Sequence, residues 1–105
     1  MIFVEAPAFE RIRGRYLDDD QYQLLQLTLM ANPESGDLIR GSGGIRKVRW
    51  AAHGKGKRGG LRVIYYWITH RGHLLLLTLY RKSEVSDLKP DEVRALRALV
   101  KDFED

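Results

Sequence analysis

Five side chains suit phosphodiester chemistry: Arg62, Tyr80 and Lys82, with Lys47 and Arg49 as neighbours. An arginine fork pairs bidentately with phosphate oxygens and stabilises the charge of a pentacoordinate transition state. A tyrosine stacks on a base or handles a proton. A lysine among other cations has a lowered pKa and serves as acid or base. The same residue types on a solvated basic face would bind and not cut, and composition alone does not choose between the two.

Strands must bring these residues together. Ile45 to Ala51 alternates, which predicts a strand with Lys47 and Arg49 on one face and Arg46, Val48 and Trp50 on the other. Arg62 opens a second strand, Leu61 to Ile68, and Tyr80 and Lys82 finish a third, His73 to Lys82. In an antiparallel pair the start of one strand lies beside the end of the next. Arg62, Tyr80 and Lys82 are therefore expected at one end of the sheet. Lys47 and Arg49 reach that end only if register and twist cooperate.

The charge map points the same way. The stretch 38–83 holds eleven of the eighteen Lys and Arg and no Asp or Glu, so the flanks are net negative. A β-rich segment whose charge is all positive suggests a sheet facing a polyanion. The chain has no cysteine, which excludes disulfides, thiolate metal sites and cysteine nucleophiles. The N-terminus has no basic n-region, and the aliphatic run Leu74 to Leu77, like every other apolar run, is far too short for a bilayer. A single domain over residues 1–105, cytoplasmic and free of membrane, is expected.

The rest of the chain supplies the frame. Ile2-Phe3-Val4 reads as a short strand, and Pro7 opens a helix to about Arg15. Asp18 with Gln21 makes a capping-box pattern, and Leu17 with Tyr22 a hydrophobic staple. The helix over 18–31 carries Tyr22, Leu25 and Leu29, with Leu24, Leu27 and Met30 expected to widen the stripe. Asn32-Pro33 ends it, a turn follows at 34–37, and 41–44 is a further break. The segment 52–60, rich in glycine and cations, reads as a hairpin loop. Pro90 opens a last helix whose stripe is Val93, Leu96, Val100 and Phe103. The expected fold class is α+β, in the order β-α-α-β-β-β-α, with the helices on one face of an antiparallel-dominated sheet.

Other motifs carry less. The run Gly-Lys-Gly-Lys-Arg-Gly-Gly lacks the Gly-Lys-Ser/Thr ending of a P-loop. His70 and His73 straddle a turn with no carboxylate near them in sequence, so no metal is expected. His53 abuts the basic loop as a reserve general base. Asp18-Asp19-Asp20 reads as a helix start.

Taken together, GGIRKVRWAAHGKGKRGGLRVIYYW followed by LLTLYRKSEVSDL resembles the HigB branch of the RelE/ParE toxin superfamily. FVE at 3–5 and the NPxxGD turn at 32–37 extend the resemblance over nearly the whole chain. It implies a RelE-like fold and the toxin of a type II toxin-antitoxin module. Such a toxin is an mRNA interferase, an endoribonuclease that enters the ribosomal A site and inhibits translation. The ribose 2′-hydroxyl attacks its own 3′ phosphate, so no cofactor or metal is implied. The family's catalytic arginine falls on Arg62, and its residues at the end of the last strand fall near Tyr80 and Lys82. RNA-binding positions fall on Lys47 and Arg49, and the loop cations Lys55, Lys57 and Arg58 would grip ribosomal RNA. Some relatives use a glutamate base, and 38–83 contains no carboxylate, which leaves the general base open. The implied partners are the ribosome, mRNA and a cognate HigA-like antitoxin carrying a helix-turn-helix DNA-binding domain. Two alternatives share the residue types: a ParE-like topoisomerase inhibitor of the same fold, and a non-catalytic RNA-binding module.

Overall fold

The computed structural model describes residues 1–51 and 60–104. The elements run β1 (Ile2–Glu5), α1 (Pro7–Tyr16), α2 (Asp19–Ala31), β2 (Asp37–Leu38), β3 (Arg46–Trp50), β4 (Leu61–Ile68), β5 (His73–Arg81) and α3 (Pro90–Glu104). A short 3-10 turn, Thr69–Arg71, joins β4 to β5. The five strands form one sheet in the order β1-β5-β4-β3-β2. β1 lies parallel to β5, with Ile2 opposite His73, and every other pairing is antiparallel. The α+β class and the three expected central strands are present. The added element is β2, two residues at the sheet edge that begin on the last residue of the expected turn at 34–37, too short for alternation to reveal. None of the helices is long and apolar enough to cross a membrane, among the described residues.

Local chemistry fixes the helix ends. Asp18 caps α2, its Oδ1 accepting the Gln21 backbone N–H at 2.8 Å. The return half of the capping box is missing, because the Gln21 side-chain oxygen has no partner among the described residues. α3 starts at Pro90 with Asp91 and Glu92 in its first turn, where a negative charge meets the positive end of the helix dipole. The backbone N–H of Lys89 donates to the Glu92 carboxylate at 2.8 Å.

The helices lie on both faces of the sheet, which corrects the expectation of one. Phe9, Leu17, Tyr22, Leu25 and Leu29 of the α1–α2 side pack on Leu61, Val63, Tyr65, Leu74, Leu76 and Leu79. Val100 and half-buried Leu96, Leu99 and Phe103 of α3 pack on Ile64, Leu75 and Leu77 from the other side. The reason was present in the chain: β4 and β5 are apolar at odd and even positions alike, and both faces then need cover. A second correction concerns α2. Leu24, Leu27 and Met30 are 58%, 52% and 47% exposed. At 100° per residue they point away from the Tyr22–Leu25–Leu29 stripe, and one narrow stripe is all that the sheet covers.

Two details set the register. Tyr65 reaches across the sheet, its hydroxyl donating to the Pro33 carbonyl at 2.7 Å and accepting the Gly36 N–H at 2.9 Å. A Cβ on Gly36 would stand 2.9 Å from the Tyr65 ring and 3.0 Å from the Lys47 carbonyl, so only glycine fits there. In β5, Thr78 pairs with Ile64 and Leu76 with Tyr65, which leaves Leu77 as an extra residue at a bulge.

Candidate active site

The register places Arg49 opposite Arg62, and Arg62 opposite Tyr80. Paired residues share a face, so these three form one row across β3, β4 and β5. Lys47, opposite Ile64, stands next to the row on the same face. That face is the α3 side, since Ile64 and Tyr80 both pack in the α3 cluster. The bulge matters here. Unbroken alternation from Leu74 and Leu76 would turn Tyr80 toward α1 and α2, and the extra residue restores it to the side of Arg62. Lys82 follows two residues beyond Tyr80, its N–H donating to the Gly60 carbonyl at 2.9 Å.

All five described candidates are thus brought together, at different depths. Arg62 and Tyr80 are 7% and 8% exposed, Lys47 is half-buried, and Arg49 and Lys82 are exposed. Lys55, Lys57 and Arg58, with His53, lie outside the described residues. His70 and His73 sit at the opposite end of β4 and β5. The Arg62 guanidinium donates from Nη1 to the Leu61 carbonyl at 3.2 Å. The Tyr80 hydroxyl is buried without a hydrogen-bond partner among the described residues. Leaving a buried hydroxyl unpaired costs about 1–3 kcal/mol, which marks it as a group that a ligand could satisfy.

A carboxylate completes the cluster, and it is the residue that the sequence reading missed. Asp87 accepts from Lys47 Nζ at 3.2 Å and from the Leu88 N–H at 2.8 Å. The Leu88 N–H is the main cause holding its pKa below the usual carboxylate value; Lys47 and Lys82 add to this, while burial opposes it. The phenol of Tyr80 is pushed up, first by burial, then by the charges of Asp87 and Glu92, against the lowering effect of Arg62. These shifts favour an ionised carboxylate at Asp87 and a neutral phenol at Tyr80, beside the basic side chains of Lys47, Arg49, Arg62 and Lys82. Asp87 follows the last strand and lies 40 positions from Lys47 in the chain. No spacing rule links a loop carboxylate to a strand that far away.

Neighbouring cations are bound into the scaffold. Arg46 gives Nη1 to the carbonyls of Gly36 at 2.8 Å and Glu34 at 3.3 Å. Arg81 lies 5.5 Å from the Tyr16 ring centre and 3.8 Å from Glu84, whose carboxylate also accepts the Tyr16 hydroxyl at 3.2 Å. Both face α1 and α2, or the turn beside them. What remains on the α3 side is a cationic row, a proton donor and a proton acceptor, a set suited to holding a phosphodiester and moving a proton near it.

A family model described as the RelE toxin of the RelE/RelB toxin-antitoxin system matches residues 8–105. Among solved structures, the intact E. coli RelBE toxin-antitoxin complex holds a chain of similar fold, with a TM-score of 0.55 and 14% identity. That match covers 76% of this chain and 94% of the other. A doubly substituted E. coli RelE toxin in the free state gives a TM-score of 0.54 at 13% identity, covering 81% and 86%. At such identities the likeness is one of fold.

Proposed function

Because this chain belongs to the RelE toxin family of toxin-antitoxin systems, we propose that it is a ribosome-dependent endoribonuclease that cuts mRNA in the A site. The observation that carries this reading is the row Arg49–Arg62–Tyr80 with Lys47, Lys82 and Asp87 around it. Arg62 holds the non-bridging oxygens of the scissile phosphate and stabilises the charge that develops there. Tyr80 is too buried to offer a ring face to a base; its hydroxyl, buried and without a hydrogen-bond partner among the described residues, donates to the phosphate once substrate binding opens the site. The 2′-hydroxyl of the preceding ribose attacks phosphorus, a new O–P bond forms, and the bond to the 5′ oxygen breaks. Asp87 takes the 2′-hydroxyl proton, and Lys82 protonates the departing 5′ oxygen. The products are a 2′,3′-cyclic phosphate and a 5′-hydroxyl, with no metal in the balance. Lys47 and Arg49 bind flanking phosphates.

The partner of such a toxin is an antitoxin. The solved RelBE complex supports one here, and the sequence pattern favours a HigA-like protein with a helix-turn-helix domain. The exposed Leu24, Leu27 and Met30 of α2 give that partner an apolar surface away from the cationic row.

The test is to map mRNA 5′ ends in cells after brief induction. Cuts at codons within translated frames are the expected result. Supercoiling defects with intact mRNA would replace this reading with topoisomerase inhibition, and intact mRNA with normal supercoiling would leave only RNA binding.

A further inference from the structure

One cleft, among the described residues, lies away from the row just described. It encloses about 770 Å³ between α3 and the turns at Gly43 and His70. Arg94, Arg97 and Lys101 line it, together with His70 and one carboxylate, Glu104. These three cations stand at i, i+3 and i+7 on one face of α3, a line about 10 Å long at 1.5 Å per residue. Each is exposed, and among the described residues none of the three stands in an ion pair. Arg97 is steadied by the neighbouring turn, its Nη1 donating to the Gly41 carbonyl at 3.3 Å. Glu104 is drawn the other way and accepts the Tyr66 hydroxyl at 3.3 Å. Like charges held in line repel one another, and a polyanion would relieve that repulsion.

Arg94 connects this cleft to the candidate active site. It also lines a second cleft of about 520 Å³, shared with Arg40, Lys47 and Asp87. His70 lies past the far end of β4, which at about 3.3 Å per residue is roughly 20 Å or more from Arg62. The cations thus continue from Lys47, through Arg94, along the outer face of α3.

We propose that the Arg94–Arg97–Lys101 face is a second RNA-phosphate track, continuous with the candidate active site through Arg94. It rests on the reading that this chain meets RNA, and it assigns a surface which that chemistry does not use. A phosphodiester backbone fits better than an acidic peptide. The cleft offers only Ala98 and Val100 as apolar lining, too little to anchor a peptide side chain, whereas a regular line of charge suits a regularly charged polymer.

The test uses the full chain and a fluorescein-labelled, all-2′-O-methyl RNA of about 24 nucleotides, which has no 2′-hydroxyl to attack. Affinity is read by anisotropy across a salt series. The Arg94→Gln/Arg97→Gln/Lys101→Gln triple variant should bind at least tenfold more weakly at low salt. Its slope of log K against log salt should fall by about 2 to 3, since each lost phosphate contact removes about 0.7 to 0.9. Lys replacements at 94 and 97 should restore most of the slope, which separates lost charge from a damaged helix. Unchanged slope and affinity in the triple variant overturn the proposal. So does a triple variant that loses poly-glutamate binding while RNA binding stays intact. A Lys47→Gln/Arg49→Gln pair measured alongside separates the two readings. Loss in that pair alone defeats the track and leaves the active-site reading standing, whereas loss in the triple variant alone supports the track and counts against that reading.

Discussion

One sheet shows two unlike faces. Toward α1 and α2, β4 and β5 present Leu61, Val63, Tyr65, Leu74, Leu76 and Leu79, each at most 2% exposed. The cations near that side are tied to the scaffold: Arg13 to Asp19 and the Leu17 carbonyl, Arg46 to the turn at 34–36, and Arg81 to Tyr16 and Glu84. Toward α3 the same strands present Ile64, Leu75 and Leu77 and then, at one end, Arg62 and Tyr80. Alternating residues of a single strand thus go to opposite tasks. The comparison teaches how so small a domain holds a charged site rigidly: the dry face fixes the strand, and the fixed strand fixes the arginine.

The comparison predicts that damage to the two faces has different symptoms. The largest effect should come from Arg62→Ala, which should slow single-turnover cleavage on programmed ribosomes ~100- to 1,000-fold, about 3–4 kcal/mol in the barrier. Ribosome binding should persist. Cleavage at the wild-type rate would mean that the α3 face has no special role. Next comes the opposite face. Leu25→Ala should lower stability by about 3 kcal/mol, within the range for emptied core sites, and shift the denaturant midpoint accordingly. Cleavage per folded molecule should stay unchanged, and a large loss there would erase the division between the faces. Asp18→Ala should cost about 1 kcal/mol by removing the α2 cap, again without a change in specific activity.

The smallest effect near neutrality concerns pH. Tyr22, hydrogen-bonded to Glu5, has a pKa raised from 10.0 by burial first and then by that carboxylate. Its folded value lies above its unfolded one, so its contribution is fully present below pH 10 and is lost as pH climbs toward the folded value. Tyr16, Tyr66 and Tyr80 shift in the same direction. Unfolding midpoints measured from pH 7 to 11 should therefore hold to about 10 and then fall, and Tyr22→Phe should flatten the fall.

Local signals were readable from the residues. Pro7, Asp18 and Pro90 mark helix starts by chemistry that acts within one turn, and the structure has helices there. The shared end of Arg62, Tyr80 and Lys82 follows from hairpin order alone. What was not readable depends on distant parts of the chain. Helix placement on two faces is a property of packing. Leu24, Leu27 and Met30 look buried to any pattern that counts leucines, and only the sheet's position shows that they are not. Asp87 joins the site because a loop folds back on β3. The bulge at Leu77 breaks the alternation on which face assignment depends.

The parallel pairing of β1 with β5 has a consequence for the order of folding. Ile2 meets His73 across about 70 residues, whereas β4 and β5 are joined by a short turn. Closing the longer loop costs about 2 kcal/mol more in chain entropy than closing a loop of a few residues. The β4–β5 ribbon that sets Arg62 against Tyr80 should therefore nucleate early, and the N-terminal strand should dock late. Weakening β1 would then quicken unfolding and barely slow refolding, whereas weakening β4 or β5 would slow refolding itself. The residues proposed to carry the chemistry would then be aligned while the N-terminal edge of the sheet is still open.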